Sequence, residues 1–165
     1  MDAYLSLGSN QDALEHLARA RRELEARFPG AFFSSLYRTP AVGFDGPDFL
    51  NAGALIHSDL DLLALDAWLH ALEDAHGRRR DVPRFSDRPL DIDVVFFGDL
   101  VFRGPGHLQV PRPELQHAFV LAPLAELAPA FRDPASGRRL ADLWAAHPDA
   151  TNPPITLDWP PAKGD

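Results

Sequence analysis

The sequence has no cysteine, a single methionine and a single lysine, Lys163. Without thiols there is no disulfide, no zinc ribbon and no cysteine nucleophile. No apolar run approaches the ~20 residues that a helical membrane span needs. The start, Met1-Asp2-Ala3-Tyr4, carries neither the basic stretch nor the apolar core of a signal peptide. The expectation is a cytoplasmic protein with no membrane partner. There is no G-x-x-x-x-G-K-[ST] string, no G-x-S-x-G elbow and no H-E-x-x-H spacing. A P-loop, an α/β-hydrolase nucleophile and a zincin helix are thereby excluded.

What is present is ordinary globular usage: 165 residues, 45% apolar and 24% charged. That suits one domain with its own core, expected over residues 1–147. The Pro-rich segment 148–165 reads as a tail on the surface or mobile. The formal net charge of −8 disfavours a general nucleic-acid binder. Yet Arg78, Arg79, Arg80, Arg84 and Arg88 cluster within a short stretch. A local cationic patch on an acidic protein suits a small, highly charged anion better than a polymer.

The pattern along the chain predicts alternating strands and helices. Ala3 to Leu7 alternates like a half-buried strand, and Ser9 or Asn10 is placed to cap a helix. That helix carries Leu14, Leu17, Leu24 and Phe28 on one stripe and stops at Pro29-Gly30. Ala31 to Tyr37 reads as a strand, Thr39 to Pro47 as a loop, and Phe49 to Ile56 as a strand. Ser58 and Asp61 resemble a capping box ahead of Leu62, Leu65, Leu69 and Leu72. Leu90 to Phe97 is strand-forming, with a turn at Gly98-Asp99 and a short strand over Leu100 to Phe102. Glu114 to Leu127 reads as a helix interrupted near Pro123, and Leu140 to Ala146 as a last short helix. This order fits an α+β sandwich of the ferredoxin-like kind, a mostly antiparallel sheet with helices packed on it.

The sharpest chemical feature is Asp91-Ile92-Asp93. Residues two apart on a strand share a face, so both carboxylates point together while Leu90, Ile92 and Val94 face the core. Such a pair repels itself, and a divalent cation relieves it. Mg²⁺ is commonly held by one or two carboxylates plus phosphate oxygens. A solvent-facing strand edge would show the same string, and both readings stay open. Arg88 and the arginines before it tilt the choice, because guanidinium forks match phosphate oxygens. Phe49 and Asn51 also share a strand face and could meet a flat heterocycle, with Phe119 far along the chain. An ordinary core role for Phe49 stays open too. His16, His57, His76 and His147 read as surface or structural.

Taken together, these segments resemble the 6-hydroxymethyl-7,8-dihydropterin pyrophosphokinase family. The matching stretches are Tyr4 to Asn10, Tyr37-Arg38-Thr39-Pro40, Asp48 to Ala52, Arg84 to Val95, Val110-Pro111 and Phe119 to Pro129. The resemblance implies a ferredoxin-like fold and a monomer acting on small molecules. It implies transfer of a pyrophosphoryl group from ATP to the pterin hydroxymethyl oxygen, with release of AMP. By resemblance Asp91 and Asp93 hold two Mg²⁺ ions, and Arg78 and Arg88 lie nearest the transferred group. His70, Glu73, Arg80, Arg84, Val94, His107, Arg112 and His117 would serve the nucleotide. Phe49 and Phe119 would sandwich the pterin, with Asn51, Thr39, Pro40 and Val42 at its edge and Phe85 on a closing loop. The chain departs from the pattern in several places, and His107 stands at a position where the family can carry another Arg. Ser86-Asp87 stands where the family usually has Gly-Pro. Arg112 stands where it has a His, and His117 near where it has an Arg. A different Mg²⁺-dependent nucleotide transferase, or a weakened pterin- and ATP-binding homologue, would share many of these residues.

Overall fold

The computed structural model describes residues 1–40, 45–77 and 89–161. Its first strand, β1 (Asp2–Ser9), is followed by α1 (Ala13–Arg27). Two short strands, β2 (Phe32–Phe33) and β3 (Leu36–Thr39), lead to the long β4 (Phe49–His57) and then α2 (Leu62–Ala75). Next come β5 (Asp91–Phe97), β6 (Phe102–Arg103) and β7 (Gln109–Val110). A 3-10 turn at Pro113–Gln116 precedes α3 (Ala118–Leu127) and α4 (Leu140–Ala145). The edge strand β8 (Ile155–Leu157) comes last. The main sheet runs β5-β1-β4-β3-β8, and each of these pairings is antiparallel. The ferredoxin-like α+β expectation is met.

Strand alternation divides the sheet into two faces. Ala3, Leu5 and Leu7 of β1, Ala52, Ala54 and Ile56 of β4, and Ile92 and Val94 of β5 join one core. Leu17, Leu24, Leu65 and Leu69 from α1 and α2 close it. The helical stripes therefore meet the sheet as their 3.6-residue spacing requires, except that Leu14 is exposed. A second core on the opposite face joins Tyr4, Val95 and Phe96 to Val120, Leu121 and Leu124 of α3 and Leu140 of α4. A bulge makes this possible. The β1–β5 register slips between Tyr4 and Leu5, opposite Val95. The extra residue lets Val95 and Phe96 both face α3 while Phe97 returns to the first core.

Several boundaries move from their expected places. The residue before α1 is Asp12, in the left-handed region at φ 47°, so neither Ser9 nor Asn10 caps that helix. Ser9 instead extends β1. Asp61 alone caps α2, accepting from the Ala64 N–H at 2.8 Å. Ser58 folds its own turn by bonding Leu60. The expected strand at Ala31–Tyr37 splits at Ser34-Ser35, where the Ser34 hydroxyl accepts from the Gly53 N–H at 2.8 Å. The hairpin strand after Gly98-Asp99 is Phe102–Arg103, leaving Leu100 and Val101 exposed. The helical break falls at His117 rather than Pro123. Pro123 forfeits one helical bond, yet Val120–Ala125 are all buried, and that packing holds the helix together.

Over its described residues, to 161, the Pro-rich C-terminal segment adds an edge to the sheet. Ile155, Thr156 and Leu157 pair with Arg38, Tyr37 and Leu36. The Trp159 indole N–H then donates to the Ser34 carbonyl at 2.7 Å. The Pro pairs 153–154 and 160–161 flank this strand and stop it from lengthening.

Candidate active site

The face that carries α3 is left uncovered by that helix at one end of the strands. Gly53 sets how closely α3 sits: a Cβ there would lie 2.9 Å from Leu124 Cδ2 and 3.3 Å from the Pro123 backbone. Beyond Gly53 the register lines up polar groups. Asp93 pairs with Ser6, and Ser6 with Gly53. One step further out, Asp91 pairs with Gly8, Gly8 with Asn51, and Asn51 with Tyr37. Partners in antiparallel register share a face. Asp91 and Asn51 therefore look out on the same side, about 10 Å apart across the intervening strand. Gly8 keeps the floor between them flat. A Cβ on it would come within 2.9 Å of the Asn51 side-chain oxygen.

Asp93 is the electrostatic centre. Burial and the neighbouring Asp91 carboxylate push its carboxyl well above the usual range, with Glu73 and Glu114 adding to the effect. Arg112 opposes it, its guanidinium 3.8 Å from the Asp93 carboxylate. Arg112 also pairs with Glu114 at 3.2 Å and donates to the His107 carbonyl at 3.4 Å. Burial works against the charge on Arg112, but Asp93, Glu114 and Asp91 outweigh it and hold its pKa above the ordinary value. The backbone places this residue: the Arg112 N–H donates to the Val95 carbonyl at the bulge.

Glu73 comes from α2, on the other layer. It is buried, and its carboxylate accepts from the Ile92 N–H at 2.8 Å. Ile92 lies between the two aspartates, so Glu73 brackets the strand that displays them. Across the floor, Asn51 is buried and donates to Thr39 Oγ1 at 2.8 Å. That bond turns the Asn51 carbonyl oxygen toward Gly8, as an acceptor at the rim of the floor. Phe49 lies two residues along the same strand and pairs with Thr39. Phe119, in the first turn of α3, stacks against His117, with ring centroids 5.1 Å apart and planes at 10°.

The structure thus brings Asp91, Asp93, Glu73, Arg112, Asn51, Thr39 and Phe49 to one end of the sheet. Val94 is buried in the opposite core, so its side chain does not reach this face, and only its backbone is available to a ligand. His70 lies on the half-exposed side of α2, with its ring 3.7 Å from Asp66. His107 and Pro40 are exposed, and His107 engages through its carbonyl. Arg78, Arg80, Arg84, Phe85, Arg88 and Val42 lie outside the described residues. Sequence reasoning missed Glu114, although a carboxylate two residues after Arg112 was a visible signal. It also missed Glu126, which ties α3 to β3. Glu126 accepts from Tyr37 Oη at 2.6 Å and from the Ser35 N–H at 2.9 Å.

Among the described residues no three or more metal-binding side chains converge. The floor, among the described residues, offers the carboxylate pair Asp91 and Asp93. That is too few ligands for zinc or a calcium cage, but it suits Mg²⁺, which retains waters and takes phosphate oxygens. The mutual repulsion of Asp91 and Asp93 points the same way, since a bound dication would relieve it.

A family model described as 7,8-dihydro-6-hydroxymethylpterin-pyrophosphokinase matches residues 4–129. A Pseudomonas aeruginosa protein named 2-amino-4-hydroxy-6-hydroxymethyldihydropteridine pyrophosphokinase is 39% identical over 88% of this chain and 91% of its own. A Synechocystis protein of the same name is 36% identical over 79% of this chain, which spans 64% of that relative's length. The crystal structure of wild-type Plasmodium falciparum HPPK-DHPS superposes with a TM-score of 0.68 at 13% identity. It covers 87% of this chain and 40% of its own, and it speaks to the fold alone.

Proposed function

The chain belongs to the 7,8-dihydro-6-hydroxymethylpterin-pyrophosphokinase family, and on that premise we propose that it transfers pyrophosphate from ATP to the pterin hydroxymethyl group. The pterin hydroxyl oxygen attacks the β-phosphorus and loses its proton to solvent, the bond from that phosphorus to the α–β bridging oxygen breaks, and AMP leaves with that oxygen. The observation that carries this reading is the register of the open sheet face. It sets an acidic pair and an amide–aromatic pair on one floor, about two strand spacings apart. A phosphate donor and a flat acceptor can then meet over Gly8.

Asp91 and Asp93 would hold Mg²⁺, two ions in this proposal. When bound, Mg²⁺ neutralises the triphosphate charge and steadies the oxygens between which phosphorus moves. The remaining work falls to the chain. Glu73 fixes the backbone that presents both carboxylates. Arg112 and His117 stand on the nucleotide side, where the resemblance also places Arg78, Arg80, Arg84, Arg88, His70 and His107. Asn51 offers its carbonyl to the donor edge of the pterin, held in orientation by Thr39. Phe49 and Phe119 bound the ring, and the resemblance assigns Phe85, outside the described residues, to the same substrate. Positioning is the main contribution, because in-line phosphoryl transfer needs little covalent help. The proposal takes the protein to be a cytoplasmic monomer. Among the described residues, no helix is long and apolar enough to cross a membrane.

The test is direct. Purified protein is incubated with ATP, Mg²⁺ and 6-hydroxymethyl-7,8-dihydropterin, and nucleotides and pterins are separated. AMP is expected to rise one-for-one with pterin diphosphate. ADP in place of AMP would reject pyrophosphoryl transfer.

A further inference from the structure

Arg112 does something in this site that a histidine at the same position could not. Its charge is permanent, because a guanidinium does not lose its proton at physiological pH. It is also mostly enclosed: its side chain is 14% exposed while lying 3.8 Å from Asp93. A metal ion held by Asp93 would stand beside a fixed positive charge. The two cations cannot share Asp93 without strong repulsion in a poorly screened setting.

The surroundings give the guanidinium somewhere to go. Glu114 holds Nε at 3.2 Å, and the His107 carbonyl holds Nη1 at 3.4 Å. Releasing Asp93 therefore leaves Arg112 charged and still partnered. A nucleotide triphosphate offers it a further anion, and a fork of N–H donors matches phosphate oxygens well. Nucleotide and metal together can displace the contact that metal alone must fight.

We propose that Arg112 is the resident counter-ion of the metal site, occupying Asp93 until metal and nucleotide arrive together, so that the metal does not load ahead of the nucleotide. The proposal rests on the reading of Asp91 and Asp93 as metal ligands. It assigns Arg112 a part in the order of loading as well as in nucleotide contact.

The experiment is calorimetric titration of Mg²⁺ into the full chain, with and without a non-hydrolysable ATP analogue. In the wild type, Mg²⁺ alone binds weakly, and the analogue tightens it strongly. In Arg112→Gln, Mg²⁺ alone binds on the order of tenfold tighter, and the coupling between metal and analogue shrinks. Arg112→Lys keeps a charge and retains weak binding of metal alone. It also keeps the proposal testable if the Gln variant fails to fold. Unchanged or weaker metal binding in a folded Arg112→Gln protein overturns the proposal, as does tight metal binding in Arg112→Lys. Asp93→Asn separates the premise: if it binds Mg²⁺ with the analogue as the wild type does, the carboxylate reading itself fails, whatever Arg112 does.

Discussion

Asp93 concentrates the residue-scale chemistry. Its carboxyl is half-buried, is repelled by Asp91 and, among the described residues, is opposed by the Arg112 guanidinium. Asp93→Asn keeps the volume and removes the charge, so the fold should persist while turnover falls by about 10²–10³ or more. A product assay beside far-UV circular dichroism checks both halves. Wild-type turnover in the folded variant would remove Asp93 from the metal site. Asn51 carries the acceptor end of the floor. Truncation to Ala leaves Thr39 unpaired and deletes one polar contact to the pterin. Pterin affinity should weaken by about tenfold, with nucleotide affinity unchanged. Equal losses for both ligands would mean a collapsed floor instead. The aspartate pair and Asn51 were both legible in the sequence, because a two-residue period on a strand assigns a face without knowledge of neighbours. Arg112's contact with Asp93 was not, since it joins β5 to a segment reached through a separate two-stranded hairpin.

At the scale of elements, the position of α3 decides whether Phe119 reaches the floor. Gly53 admits the helix, and Glu126 clamps it to β3. Gly53→Val forces Leu124 and Pro123 outward. We expect a loss of about 1–3 kcal/mol in unfolding free energy and a raised KM for the pterin. Denaturant melts and steady-state kinetics read these separately, and an unaffected KM would place Phe119 outside the pterin pocket. The C-terminal strand is the second case. Its composition argued for a tail, because proline-rich polar sequence carries no strand signal. Pairing with β3, the Trp159–Phe33 contact and Arg21 over the Trp159 ring give it a place in the structure. Trp159→Ala should lower stability by about 1–3 kcal/mol, with little effect on pterin affinity. A melt unchanged from wild type would show that the strand adds nothing to stability.

For the molecule as a whole, the two helices of the first core are joined by a buried histidine. His76, at the end of α2, contacts His16 of α1 through the two Nδ1 atoms at 2.8 Å, and Glu23 through Nε2 at 2.8 Å. Burial lowers the His76 pKa; Arg19 and His16 also lower it, while Glu23 opposes them. The unfolded imidazole takes up its proton near pH 6.5, and the folded one only at lower pH. The unfolded state therefore binds more protons as the pH falls from about 6.5 toward the folded value, and stability drops across that window. The thermal midpoint should fall between pH 7.5 and pH 5.5 (roughly bracketing that window), and His76→Gln should flatten the decline. An identical pH profile in the variant would assign the decline to other groups.

The fold class, the two helical stripes, the placing of Asp91 with Asp93 and of Phe49 with Asn51, and the family resemblance were legible in the amino-acid string. All of these depend on local periodicity or on short strings, which act over a few residues. The folded chain settled what long-range contacts control. It put the carboxylate pair and the amide on one floor through the β5-β1-β4 order. It turned Glu73 onto the Ile92 N–H and set Arg112 against Asp93. It moved the break in the last helical stretch from Pro123 to His117, because burial on every side outweighed one missing hydrogen bond. It drew a proline-rich segment into the sheet edge, because β3 still offered an open row of backbone groups. Local pattern chooses the element and its face; only packing chooses which faces meet.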